Sequence, residues 1–91
     1  MQPAAKASVM KRLKRIEGQV RGLARMVEDD RYCIDIVTQV SAVRAALRRA
    51  EEEILADHLT HCVEEAIMSG KKTEQRRKLA ELRSVLRRAE H

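Results

Sequence analysis

Phenylalanine and tryptophan are absent from this 91-residue chain, and Tyr32 is its only aromatic side chain. The large rings that dominate most small cores are missing, so Leu, Ile, Val, Met and Ala must supply nearly all buried surface. Such a length allows one domain at most, residues 1–91, and a chain this short encloses little core by itself. Oligomerisation is the expected remedy. No apolar run approaches the ~18–20 residues that span a bilayer, and no hydrophobic signal segment follows the N-terminus. A cytoplasmic address without membrane contact is expected. Cysteine is scarce, with Cys33 and Cys62 alone. In a reducing compartment these suit metal binding or redox sensing better than a structural disulfide. Nothing resembles a catalytic triad, a phosphate loop or an open metal site, so neither an enzyme nor a small-molecule substrate is expected.

What is abundant is charge, at 36% of residues, together with Ala, Leu, Glu, Lys and Arg. That is the composition of long helices, and no sheet is expected. The net charge of +5 is unevenly spread: residues 1–29 carry seven basic and three acidic side chains, 30–70 four and eight, 71–91 eight and three. Two basic zones flanking an acidic one suit a polyanion such as DNA, because neutralising phosphates releases counterions.

Met10, Leu13, Ile16, Val20, Leu23 and Val27 recur every three or four residues and predict a first helix over about 9–28. Pro3 discourages an earlier start, leaving residues 1–8 as a flexible tail. Gly18 and Gly22 sit inside this helix, each costing roughly 1 kcal/mol relative to Ala, and close helix packing is the simplest reason for them. Asp29 and Asp30 are N-cap candidates for a second helix over about 30–69, carried by Ile36, Val37, Val40, Val43, Leu47, Ile54, Leu55, Leu59, Val63 and Ile67. Gly70 is a natural stop. Thr73 can cap a third helix over about 73–89, carried by Leu79, Leu82, Val85 and Leu86.

On a continuous second helix Cys33 and His58 lie roughly 37 Å apart at ~1.5 Å per residue, too far to share an ion within one chain. His58 and Cys62 are four residues apart and project from one face. At ~100° per residue His58 falls about 20° to one side of the Cys33 direction and Cys62 about 20° to the other. An antiparallel copy of the helix would bring Cys33 of one chain against His58 and Cys62 of the other, with the two-fold axis near Ala45 and Ala46. Two thiolates and an imidazole form a soft set matched to three-coordinate Cu(I), whereas zinc in a closed site ordinarily takes a fourth ligand. His61 points about 80° off that face and is not expected to ligate.

The stretches RLKRIEGQVRGL at 12–23, DDRYCIDIVTQVSAVRAAL at 29–47 and DHLTHCVEEAIMSG at 57–70 resemble the copper-sensitive operon repressor family, within the larger group that includes nickel/cobalt and formaldehyde repressors. The resemblance implies an all-α, three-helix protomer, dimerised as an antiparallel four-helix bundle and assembled as a dimer of dimers. It implies Cu(I) on Cys33, His58 and Cys62, the last two from the partner subunit. The nickel/cobalt branch instead uses an N-terminal His and a His in place of Cys62, and this chain has neither. An outer shell is also implied, with Tyr32 before the first cysteine and a glutamate on the third helix. AELRSVL at 80–86 points to Glu81 for that glutamate, with Glu74 as the alternative, because the segment before it runs about three residues longer than in typical copper sensors. For DNA, the resemblance carries over Arg12 and Arg49, with Arg15 and Gln19 as helpers. Glu51, Glu52 and Glu53 read as a solvated run.

The expected function is therefore a Cu(I)-responsive repressor that binds operator DNA in the metal-free form. Alternatives are a thiol or persulfide sensor using Cys33 and Cys62, a sensor of another metal or of formaldehyde, and a metal-storage bundle without DNA function.

Overall fold

The computed structural model describes residues 1–89, and among them every regular element is helical. Helix α1 runs Pro3–Glu28, α2 Cys33–His58, a single π-helical turn Leu59–Val63, α3 Glu64–Ser69 and α4 Lys72–Ala89. Internal contacts divide the chain into two units, Met1–Ile54 and Leu55–His91.

The expected tail over residues 1–8 is instead helical from Pro3 onward. Proline in the first helical position loses nothing, because the amide hydrogen it lacks would have had no intrahelical acceptor there. At the other end of α1 Asp29 and Asp30 close this helix and do not cap the next. Asp30 adopts the left-handed conformation, φ 53°. Its N–H donates to the Val27 carbonyl (3.2 Å) and that of Arg31 to the Met26 carbonyl (2.9 Å), the paired bonds of a Schellman ending. Asp tolerates this conformation better than most non-glycine residues. Helix α2 then starts at Cys33, with the Tyr32 carbonyl accepting from the Asp35 and Ile36 amides.

In the first unit, Ile16, Val43 and Ala50 form the core, with Leu23 and Ala46 packed against it; Val9 is buried as well. Much of the expected apolar stripe is left uncovered: Met10, Val20 and Val27 on α1 and Val37, Val40 and Leu47 on α2 are exposed. Close packing within the chain does not explain Gly18 or Gly22, since a Cβ at either position would meet nothing within 4 Å.

In the second unit the expected unbroken helix widens at Leu59–Val63 into a π turn. The Thr60 hydroxyl donates to the Ala56 carbonyl (3.0 Å), a back-bond that competes for the acceptor of the regular ladder. Gly70 ends α3 at φ 67°, as its position after the last periodic residue predicts. Helix α4 begins at Lys72, so Thr73 lies inside it and does not cap it; the Lys71 carbonyl accepts the Gln75 amide there. Helix α4 packs against α3 and the π turn, with Ala66 buried.

Candidate metal centre and basic groove

His58 closes α2, and Cys62 sits in the π turn that follows. The Nδ1 atom of His58 lies 3.3 Å from Cys62 Sγ. On the far side of the ring, His58 Nε2 is 3.2 Å from Glu81 Oε1. The imidazole thus stands between a thiol and a carboxylate. A carboxylate only accepts, so Nε2 donates to it, and the tautomer of a neutral ring that does so leaves the Nδ1 lone pair toward the sulfur. Donors that already converge at 3.3 Å need little side-chain movement to share one ion. Glu81 is steadied from its other oxygen by Lys78 Nζ at 3.6 Å.

Glu74 is engaged elsewhere: both its oxygens accept from Arg77 Nη2 at 2.7 Å. It shares with Cys62, Glu65, Ala66, Ser69, Lys71 and Lys78 the lining of a cavity of about 300 Å³. His61 lies 4.0 Å from Asp57 across one helical turn. Cys33, the third expected ligand, is exposed at the first residue of α2 in the other unit, after an exposed Tyr32. Among the described residues no three His, Cys, Asp or Glu side chains of one chain are placed to hold a metal ion.

The four residues expected at DNA come together. Arg12, Arg15 and Gln19 from α1 and Arg49 from α2 line one groove of about 300 Å³, floored by Ile16, Ala42, Ala45 and Ala46. The small α2 side chains keep the floor low, and the i, i+3, i+7 spacing on α1 puts its three polar groups on one edge. Arg49 also borders a neighbouring groove with Ser41, Arg44, Arg48 and Glu52. Arg44, Arg48 and Glu52 follow one another at i, i+4 along this face of α2.

Glu53 departs from the solvated run assigned to it. Its Oε2 accepts from Arg12 Nε at 2.7 Å. A hydrogen bond from Ser8, and then the Arg12 guanidinium, hold its carboxyl below the usual carboxylate range. With Nε taken, Arg12 keeps its two terminal nitrogens for other acceptors.

Residues 5–88 match the family described as metal-sensitive transcriptional repressor, and the chain belongs to that family. It is 55% identical over 65 residues to the copper-sensing transcriptional repressor RicR of Mycobacterium tuberculosis, covering 71% of this chain and 68% of that one. It is 57% identical over 65 residues to the copper-sensing transcriptional repressor CsoR of Bacillus subtilis, covering 71% and 64%. Its fold superposes with a TM-score of 0.88 on the crystal structure of the copper-sensing repressor CsoR with Cu(I) from Geobacillus thermodenitrificans NG80-2, at 46% identity, spanning 100% of this chain and 92% of that one. Among the described residues no helix is long and apolar enough to cross a membrane.

Proposed function

We propose that this chain is a Cu(I)-responsive transcriptional repressor, which holds operator DNA in its metal-free form and releases it when Cu(I) binds, switching on copper-resistance genes. The observation that carries the reading is the His58 ring, set between Cys62 on Nδ1 and Glu81 on Nε2. A thiol with a directed imidazole is a soft donor pair, and Cys33 of a second copy completes three-coordination. The names of the copper-sensing relatives agree with this choice of metal. The protomers pair as antiparallel four-helix bundles, two sites per dimer, and the dimers pair again; the uncovered apolar stripe of α1 and α2 supplies surface for such burial.

Bound Cu(I) would fix the relative directions of its three donors. The chain's residues do the rest. Glu81 holds the His58 ring by its outer nitrogen, as carboxylates behind metal-binding histidines commonly do, and so ties the ring's orientation to α4. Arg12, Arg15, Gln19 and Arg49 bind the DNA backbone from one groove. Linkage makes the effect reciprocal: DNA weakens Cu(I) binding by the factor by which Cu(I) weakens DNA binding, typically a coupling of ~1–3 kcal/mol.

The test is subunit complementation. Chains carrying Cys33→Ala, and chains carrying His58→Ala with Cys62→Ala, should each fail to bind Cu(I) tightly. Mixed dimers should recover one intact site each in an anaerobic titration. If mixing restores nothing, the site is not shared between copies.

A further inference from the structure

One face of α2 carries a feature that the metal site leaves unexplained. At ~100° per residue, Val37, Val40, Arg44, Leu47, Glu51 and His58 all fall within about 40° of the direction of Cys33. Leu55, half-buried, also falls about 40° off, so the steps are of three or four residues throughout, which is the seam of a helix that packs lengthwise on another helix. The other apolar members are bare in the single chain: Val37 is 59%, Val40 41% and Leu47 46% exposed. Two members of this apolar seam are charged, one of each sign. Both are exposed, and among the described residues neither Arg44 nor Glu51 has a hydrogen bond or ion pair. Arg48 and Glu52 stand about 60° and 100° off the seam, so they are not equivalent to this pair.

An antiparallel second copy accounts for both charges. Setting Cys33 opposite the His58 and Cys62 pair places residue i opposite about residue 93 − i of the second copy at a uniform helical rise. Arg44 then faces the gap between Leu47 and Glu51 of the second copy, with Glu51 about 3 Å away along the axis. An arginine stem lies readily along a leucine while its guanidinium reaches such a carboxylate. By two-fold symmetry the contact occurs twice, once on each side of the axis. A parallel, in-register copy would instead stack Arg44 on Arg44 and Glu51 on Glu51, and an antiparallel slip of one heptad would leave both charges facing other side chains. We propose that Arg44 and Glu51 form reciprocal ion pairs across the α2–α2 seam, selecting the antiparallel register in which the Cys33, His58 and Cys62 ligands meet. This rests on the shared site proposed above. Polar seam residues of this kind fix register and partner orientation in paired helices generally.

The experiment uses charge reversal in the full chain, with Arg44→Glu and Glu51→Arg made singly and together. Dimer dissociation is read by sedimentation equilibrium, and register by mild oxidation that links Cys33 of one chain to Cys62 of another. Each single reversal should weaken the dimer by about tenfold or more and suppress the cross-link, as close interfacial charge pairs do. The double reversal should restore both. Mixing the two single variants should yield predominantly heterodimers, since every seam contact is then complementary; a folding defect could not produce that preference. Single reversals that leave dimer and cross-link unchanged overturn the pairing, as does a weakening that neither the double reversal nor mixing repairs. A loss of DNA affinity alone from Arg44→Glu overturns it too, and makes Arg44 a phosphate contact. A wild-type chain that stays monomeric and gives no Cys33–Cys62 link overturns the shared site, and the pairing with it.

Discussion

The two units of this chain differ in how many of their site charges are left to outside partners: in the first, Arg12 is paired with Glu53 but its groove neighbours are not, among the described residues. In Met1–Ile54 a small apolar core of Ile16, Val43 and Ala50 holds two helices together, and Arg15 and Arg49 stand in a groove without a carboxylate partner among the described residues. In Leu55–His91 burial is slight, with Ala66 the buried residue among those described, and polar contacts link its elements: His58 to Glu81, Glu81 to Lys78, Gln75 Nε2 to the Ala66 carbonyl. Unpaired cations keep their attraction for an outside polyanion, whereas a chain of mutually satisfied groups responds when one member is altered. The first arrangement suits a standing surface and the second a relay.

The sharpest way to break this contrast is to remove a donor from the second unit. Cys62→Ala should lower Cu(I) affinity by more than the roughly 10–100-fold that loss of an outer partner costs, while metal-free operator binding stays close to wild type. Competition with a Cu(I) chelator under anaerobic conditions measures it. Retention of wild-type affinity would remove Cys62 from the site.

The converse cut falls on the first unit. Arg12→Ala or Arg49→Ala should weaken operator binding and reduce the slope of log affinity against log salt by about 0.9 for each lost phosphate contact, with Cu(I) affinity unchanged. Binding isotherms at several salt concentrations decide it, and unchanged slopes in both variants would move the DNA surface elsewhere.

A finer test separates the relay from the ligands. Glu81→Ala should leave a three-coordinate Cu(I) centre but erase most of the coupling, typically ~1–3 kcal/mol, so that DNA is retained in the presence of Cu(I). Glu74→Ala, which loses its Arg77 contact, should still release DNA normally. The opposite pattern would place the relay at Glu74.

The smallest effect concerns Glu53, whose carboxyl is held below its ordinary value by Ser8 and Arg12. A depressed folded-state pKa stabilises the fold above the unfolded value and loses that contribution as pH falls through the folded one. Wild type should therefore exceed Glu53→Gln in thermal stability near neutrality, with the gap closing as the solution is made more acidic than the usual carboxylate range. A gap independent of pH across that range would mean that the ionised carboxylate contributes nothing.

Much of the fold is legible in the sequence. Helical periodicity located the helices because a half-buried helix must repeat its apolar residues near 3.6, whereas the π turn at Leu59–Val63, which carries Cys62, breaks the fixed rotation per residue on which a common direction of Cys33, His58 and Cys62 was expected. Gly70 was equally readable, since few other residues adopt its φ of 67° without strain. Caps were not. Asp29 and Asp30 have the side chains of N-caps, yet whether an aspartate ends one helix or starts the next depends on where the backbone turns, and here Asp30 takes the left-handed conformation. Pro3 bars a helix from continuing through it but is a favoured first helical residue, and α1 begins there.

By itself, then, the sequence determined the helical class and the basic character of α1, since each depends only on residue type and a helical period. Tertiary structure alone decided which carboxylate reaches which cation. Glu81 and Glu74 lie seven residues apart on α4 and point the same way by periodicity, but contact with the π turn and α3 sets Glu81 against His58 and leaves Glu74 to Arg77. Arg12 and Glu53, 41 positions apart, meet because α1 packs on α2 around Ile16, Val43 and Ala50. Side-chain pairing over such separations depends on backbone placement within an ångström or so, which no one-dimensional pattern encodes.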